Sequence, residues 1–360
     1  MSSEMAPLNV LSSTIANGWH AQSNPQAYEW WYFDAISDDG NEAIVIIFLD
    51  NFIFSPRYNE AVRKIKKGQL ESTKRFPAVA FFYYKNGRPL YRSIHEFTQQ
   101  EFKAEIEKPC CQIGKNRFSF ECAPYGSGYV VEIETKIHGN RTLRANLEWL
   151  SIESDLLPIS TSPLSETTHN WNMVAPRSDV TGKIDILTSS GNQELRLNFR
   201  GTGYHDHNID SRWLPDTVRR WYWGRAHFND STAVLYHFES CSNTQPLTKL
   251  LLVKNGSLQI LNATLHESEY RMNLYGLVYP KHLTLVSENN IVLSFRQKVC
   301  EASFFYLRFW SEATISYPDG QEHCVPAISE YLVPRRLRKN WFDKLIDMRI
   351  AKNNKPASLP

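Results

Sequence analysis

The chemistry-bearing side chains of this 360-residue chain crowd into one run, Gly201-Thr202-Gly203-Tyr204-His205-Asp206-His207-Asn208. So many polar groups in an otherwise apolar stretch are costly to bury without partners. The stretch reads as extended. On a strand, successive side chains alternate, so Tyr204, Asp206 and Asn208 share one face and His205 and His207 the other. Only one face can line a pocket. If the aspartate face lines it, desolvation in an apolar, ring-rich setting disfavours the carboxylate and leaves Asp206 a candidate proton donor near neutral pH. If the histidine face lines it, His205-x-His207 is a zinc half-site that needs a third ligand such as His169. No other ligand pair has suitable spacing, and no metal is expected. A third reading makes the run a polar network that locks the fold without chemistry.

A second constellation is His169-Asn170-Trp171, followed by Pro176-Arg177. Two residues apart on a strand, the imidazole and the indole face the same way, so one can orient a proton donor while the other offers a π face. A ring face attracts cations, which suits protonation of an alkene to a carbocation. Trp171, Trp221, Trp223 and Tyr204 are candidates for that lining, with core aromatics as the plain alternative. The chain has no GxSxG elbow, no P-loop and no GxGxxG; Gly201-Thr202-Gly203 lacks both the third glycine and a following helix. ATP and nicotinamide are therefore disfavoured, and no cofactor is expected. The six cysteines lack CxxC spacing and read as reduced structural thiols.

These residues must sit on strands. Aromatic residues make up 13% of the chain, and strand-length runs recur, among them Ala43–Leu49, Ala78–Tyr84, Tyr129–Thr135, Leu143–Trp149, Ala233–Phe238 and Ser303–Trp310. Asp39-Gly40, Asn86-Gly87, Asn255-Gly256 and Asp319-Gly320 supply the positive φ angles of tight hairpins. The pattern predicts an all-β, antiparallel fold closed into barrels or sandwiches, which removes strand edges. Trp30-Trp31-Tyr32-Phe33 is echoed by Trp221-Tyr222-Trp223, a hint of duplication. The Ser/Thr/Pro-rich linker stretch Leu157–Pro163 marks a boundary region between Ser151 and Arg177, and with the switch set near Val180 the predicted domains are 1–180 and 181–360. The basic segment Ser55–Phe76 reads as a solvated loop. Leu337, Trp341, Leu345 and Met348 align one apolar face of a C-terminal helix whose other face is basic. It either caps the second domain or rests on an anionic membrane. Forty basic residues against thirty-eight acidic ones leave +2, too little to attract nucleic acid. With neither a signal peptide nor a spanning run, a cytoplasmic protein is expected.

Tyr28-Glu29-Trp30-Trp31-Tyr32-Phe33-Asp34, His169-x-Trp171 with Pro176-Arg177, the run from Gly201 to Asn208, and Trp221-Tyr222-Trp223-Gly224-Arg225 occur in this order. Together they resemble the landmarks of the carotenoid 1,2-hydratase (hydroxyneurosporene synthase) and AttH-like family, over a span from about Trp19 to Arg349. Past the histidine-rich motif this chain has Ile209-Asp210 where the family pattern has Trp-Gly. The resemblance implies two tandem lipocalin-like barrels and a lipophilic isoprenoid or polyene substrate. It also implies an aspartate that protonates a double bond before water traps the cation. Asp206 matches that donor, with His169, Trp171 and Tyr204 orienting or lining the site. Trp30, Trp31, His205, His207, Asn208, Trp221, Trp223 and Arg225 are the expected substrate-binding residues. Hydration, cyclisation or isomerisation through one cation, a pericyclase, and a non-catalytic carrier all fit this outline.

Overall fold

The structure is a computed structural model that describes residues 8–70, 74–158, 168–242, 245–352 and 356–358. Chain contacts divide it into two units. The first takes the described residues among 1–85, 90–213 and 340–360, the second those among 86–89 and 214–339.

Twelve strands make the sheet of the first unit: β1 (Leu8–Leu11), β2 (Tyr28–Ser37), β3 (Glu42–Leu49), β4 (Ala78–Lys85), β5 (Arg88–Glu96), β6 (Phe102–Ala104), β7 (Cys110–Ile113), β8 (Asn116–Ala123), β9 (Gly126–Ile137), β10 (Arg141–Glu153), β11 (His169–Leu187) and β12 (Gln193–Asp210). Their order is β5-β4-β3-β2-β12-β11-β10-β9-β8-β7-β6, with β1 parallel to β11. The last strand thus enters the middle of the sheet. Phe48 of β3 meets Phe118 of β8 at 5.2 Å, and Trp31 of β2 meets the same ring at 5.5 Å, although five and four strands respectively separate them in the sheet. A sheet whose two arms share one core is curled, and the first unit is a half-barrel around Trp31, Phe33, Phe118, Val131, Leu147 and Trp149.

Val180 lies inside β11, so the chain does not change unit there; the contacts divide after Trp213. Ile159 to Pro163 of the expected linker lie outside the described residues. The basic segment is not a loop at its start. Residues Pro56–Lys66 form helix α1, with Pro at its first turn and the Ser55 hydroxyl accepting the Tyr58 N–H. Tyr58 and Val62, one turn apart, are its buried face.

The second unit is a closed barrel of β13 (Val218–His227), β14 (Ser231–Ser240), β15 (Leu247–Lys254), β16 (Ser257–Met272), β17 (Val278–Ser287), β18 (Val292–Ala302), β19 (Tyr306–Ser316) and β20 (Glu322–Leu332). Successive strands pair in chain order and β20 returns to β13, so no edge is left. Leu235, Leu250, Leu283, Phe295 and Phe309 fill it. Between β15 and β16, Asn255 and Gly256 have φ of 53° and 69°, the left-handed pair that a two-residue hairpin demands. The architecture is the expected all-β, lipocalin-like one, with one half open and the other closed.

A short helix α2 (Leu214–Thr217) precedes β13. The tail is not the single amphipathic helix that its spacing suggests. A 3-10 turn, Pro334–Arg338, belongs to the second unit, and α3 (Asp343–Met348) to the first. Lys339 is extended between them, so Leu337 is buried while Trp341 is 74% exposed. Arg336 is bound to the Phe304 and Gly276 carbonyls and Arg338 to Asp216, which fixes the turn on the barrel. Among the described residues no helix is long and apolar enough to cross a membrane.

Candidate active site

The polar run occupies the end of β12, between β2 and β11. Antiparallel register sets Asp206 across from Tyr32, Asn208 across from Trp30 and Asp210 across from Tyr28, while Trp171 of β11 stands across from Asn208. Residues paired this way share a face. Tyr28, Trp30, Tyr32, His169, Trp171, Tyr204, Asp206, Asn208 and Asp210 therefore project together, on the face opposite the core of the half-barrel. All are nonetheless buried, and Asp206 is only 4% exposed.

Asp206 is the hub. Its Oδ2 accepts the Trp171 indole N–H at 2.8 Å and the Tyr204 hydroxyl at 2.9 Å, and its Oδ1 accepts the Asn208 amide at 3.0 Å. With its nitrogen spent on Asp206, Asn208 presents its oxygen to His169 Nε2 at 3.1 Å, which places a proton on that ring nitrogen. His169 Nδ1 lies 3.4 Å from the Tyr28 hydroxyl and 3.7 Å from Asp210 Oδ2. Asp210 is held by both nitrogens of an Arg212 fork at 2.8 Å. Burial works to raise the Asp210 pKa, but hydrogen bonds from His169 and Arg212 outweigh it and keep the carboxyl below its ordinary range. Tyr28 stacks on Trp30 at 5.2 Å, and both rings lie beside His169. The result is a carboxyl group that accepts from Trp171, Tyr204 and Asn208, with an imidazole that orients the last of them.

His205 and His207 do not join this group. His205 is sandwiched in the core, stacked on Phe33 at 3.8 Å and edge-on to Tyr129 at 4.6 Å. Its Nδ1 donates to the Tyr32 carbonyl and its Nε2 accepts from Asn17, each at 2.9 Å. Burial pushes its pKa down to about 3, so it is a neutral, satisfied core histidine. His207 stacks on Trp31 at 4.6 Å and reaches Glu29. Burial outweighs that carboxylate and takes the His207 pKa down to about 4. The alternative that made His205-x-His207 and His169 zinc ligands fails on the same alternation, because His169 faces the other side of the sheet. Trp31 likewise belongs to the core, whereas Trp30 stays with Asp206.

Trp221, Trp223 and Arg225 lie on β13 of the second unit. There Tyr222 and Ala226 point into the barrel core, and the three expected residues occupy the opposite face, each buried. Sequence reasoning missed Tyr28, Asp210 and Arg212 as site residues. Asp210 continues the alternation from Tyr204, and that signal was available.

A half-barrel and a closed up-and-down barrel, the first carrying a buried aspartate among rings, define a lipocalin-like protein with a buried polar site. Residues 148–358, more than half of the chain, match the model of the carotenoid hydratase CrtC family, and the chain belongs to that family. A hydroxyneurosporene dehydrogenase of Chlorobaculum tepidum is 26% identical over 364 residues, 98% of this chain and 94% of the relative. An acyclic carotenoid 1,2-hydratase of Thiocapsa roseopersicina is 26% identical over 214 residues, 59% of this chain and 47% of that one. Among solved structures, an AttH protein of Nitrosomonas europaea superposes with a TM-score of 0.59 at 14% identity, covering 90% of this chain and 97% of the other. Kievitone hydratase of Nectria haematococca gives 0.53 at 9% identity, covering 91% and 96%. These two likenesses establish the fold; membership of the family makes the chain a hydratase-type enzyme, a hydro-lyase.

Proposed function

We propose that this enzyme adds water across a carbon–carbon double bond of a lipophilic isoprenoid of the carotenoid class, with Asp206 as the proton donor. The alkene π electrons take the Asp206 proton to form a C–H bond, leaving a tertiary cation at the neighbouring carbon. Water adds to that cation and its surplus proton returns to the Asp206 carboxylate, so the acid is restored and the net change is one water gained. The observation that carries the reading is the convergence of Trp171, Tyr204 and Asn208 on a single carboxylate. Those donors stabilise the anion that remains once the proton has left, and they are in place before the reaction, which is where electrostatic catalysis is strongest. The faces of Trp30, Trp171 and Tyr28 offer π density to a cation. His169 is a positioning residue: its proton holds the Asn208 oxygen, which turns the amide nitrogen towards Asp206.

Asp206→Asn keeps the shape and removes the transferable proton. Turnover of an acyclic carotenoid should fall by roughly 10²–10⁴-fold, the usual worth of general acid catalysis, with binding retained. The variant sets an amide N–H against that of Asn208, so circular dichroism is needed to confirm its fold. In deuterated water the product of the wild type should carry one new C–D bond. Turnover within a few-fold of wild type, or product without deuterium, would remove Asp206 from the mechanism.

A further inference from the structure

On the opposite face of β12 from Asp206, three side chains from three separate segments converge. His20 Nδ1 and His207 Nε2 each lie 3.2 Å from the same oxygen, Oε2 of Glu29. The donor atoms of all three side chains lie within 4.8 Å of one another. We infer that His20, Glu29 and His207 form a binding site for one divalent transition-metal ion of the zinc class.

Three features favour an ion over a plain hydrogen-bonded cluster. The first is spacing. Zinc bonds of about 2.05 Å to nitrogen and oxygen put neighbouring ligands of a tetrahedron about 3.3 Å apart, and the two N···O separations already have that length. The second is the tautomer of His207. If its Nε2 carries the proton donated to Glu29, the buried Nδ1 is bare, and it makes no hydrogen bond. A metal on Nε2 puts the proton on Nδ1 and gives the carboxylate-facing nitrogen to the ion. The third is support and access. Trp31 stacks on the His207 ring and fixes its plane, and the Glu29 carboxylate is further held by the His20 backbone N–H at 3.1 and 3.2 Å. The His207 and Glu29 side chains are fully buried, whereas that of His20 is 26% exposed. An ion can therefore enter past His20.

Two histidines and one carboxylate form the donor set of open zinc sites. Here the ion would tie the segment before β2 to β2 and β12, and its binding energy would be folding energy. It lies across the sheet from Asp206, so the inference does not depend on the proposed hydration mechanism.

The test uses the full chain, freed of any affinity tag and stripped with a chelator, titrated with zinc chloride by calorimetry. One ion per chain should bind and raise the melting temperature. His20→Asn changes the part-exposed ligand and should keep the fold by circular dichroism. It should weaken binding by at least about tenfold and abolish the zinc-dependent rise in melting temperature. Glu29→Gln should do the same. Absence of stoichiometric binding in the wild type, or equal affinity in both variants, would overturn the assignment; the latter result would place any bound ion elsewhere, for instance on the cysteines.

Discussion

Replacing Gly201 by alanine tests whether the β2–β12 register holds the site. A Cβ at this position would lie 2.1 Å from the Ile36 carbonyl oxygen, 2.7 Å from its carbon and 2.8 Å from the Ser37 Cα, all backbone atoms that no rotamer change can move. Relief requires β2 to shift by roughly 1 Å, against an interstrand spacing of about 4.8 Å. Such overpacking costs about 1–3 kcal/mol. A ladder hydrogen bond lost nearby adds about 1 kcal/mol. The gain from stiffening the unfolded chain returns about 0.5–1 kcal/mol. The net expectation is a loss of about 1–3.5 kcal/mol, read in urea unfolding as a lower midpoint at unchanged slope. Gly191→Ala is the control: no atom lies within 4 Å of its Cβ, and only its φ of +86° opposes the change, so about 1 kcal/mol is expected. The same strand pair sets Tyr32 across from Asp206 and Trp30 across from Asn208, so Gly201→Ala should also depress turnover in the fraction that folds. A midpoint within about 0.5 kcal/mol of wild type would show that β2 yields freely, and that the glycine does not pin the register.

Tyr204→Phe and Trp171→Phe each remove one donor from Asp206 Oδ2 and keep a ring in place. A hydrogen bond to a charged group is worth about 1.5–3 kcal/mol, so kcat should fall about tenfold or more in each, with KM little changed. Because both donors serve one oxygen, the double variant should lose less than the product of the two effects; unchanged kcat in both single variants would separate Asp206 from the chemistry. In the second unit, Glu239 accepts hydrogen bonds from Arg219 at 3.0 Å, His237 at 3.3 Å and Arg220. Burial raises its pKa, but the His237 and Arg220 contacts more than cancel that and bring it from 4.5 to about 2. A depressed carboxyl contributes stability above its unfolded pKa and loses it as pH falls through the folded one, here between about 4.5 and 2. Allowing for screening by solvent, the contribution is about 1–2 kcal/mol. The urea-stability gap between wild type and Glu239→Gln should therefore narrow from pH 6 to pH 3, and a constant gap would refute the pairing.

Local rules were legible in the residues, and long-range placement was not. Asn255-Gly256 declared its hairpin because few other dipeptides tolerate two left-handed residues in succession. Alternation separated Asp206 from His205 and His207 correctly, since the period of a strand is fixed by its pleat. Which face meets the core depends on neighbours far away in sequence: His205 is buried by Phe33 and Tyr129. That is why His205, His207 and Trp31 were grouped with the site. Helix α1 was hidden by its own charge, although Ser55, Pro56 and the Tyr58–Val62 spacing were helix signals. The tail shows the opposite error, a helical spacing of four residues that an extended Lys339 interrupts. Glu29 stood in plain view between Tyr28 and Trp30. Only the pairing of β2 with β12 brings it to His207, from 178 residues away.

The meeting of Trp171 with Asp206 depends on an irregularity in β11. Between Asn172 and Ser178 the pairing with β12 slips twice by one residue, around Ala175. Pro176 lies in this stretch and has no N–H to give to a regular ladder. One such bulge would turn every later side chain of β11 to the wrong face; the second restores it, so Val174 and Val180 both remain in the core. The two extra residues advance β11 by one full pleat relative to β12. Continued from the Ser178–Gly203 register without them, Trp171 would stand opposite Asp210, about 7 Å further along the strand. With them it stands opposite Asn208, and its indole N–H reaches Asp206 at 2.8 Å. The donor set of the site is thus assembled by a paired defect in the sheet, which preserves the faces and changes only the offset.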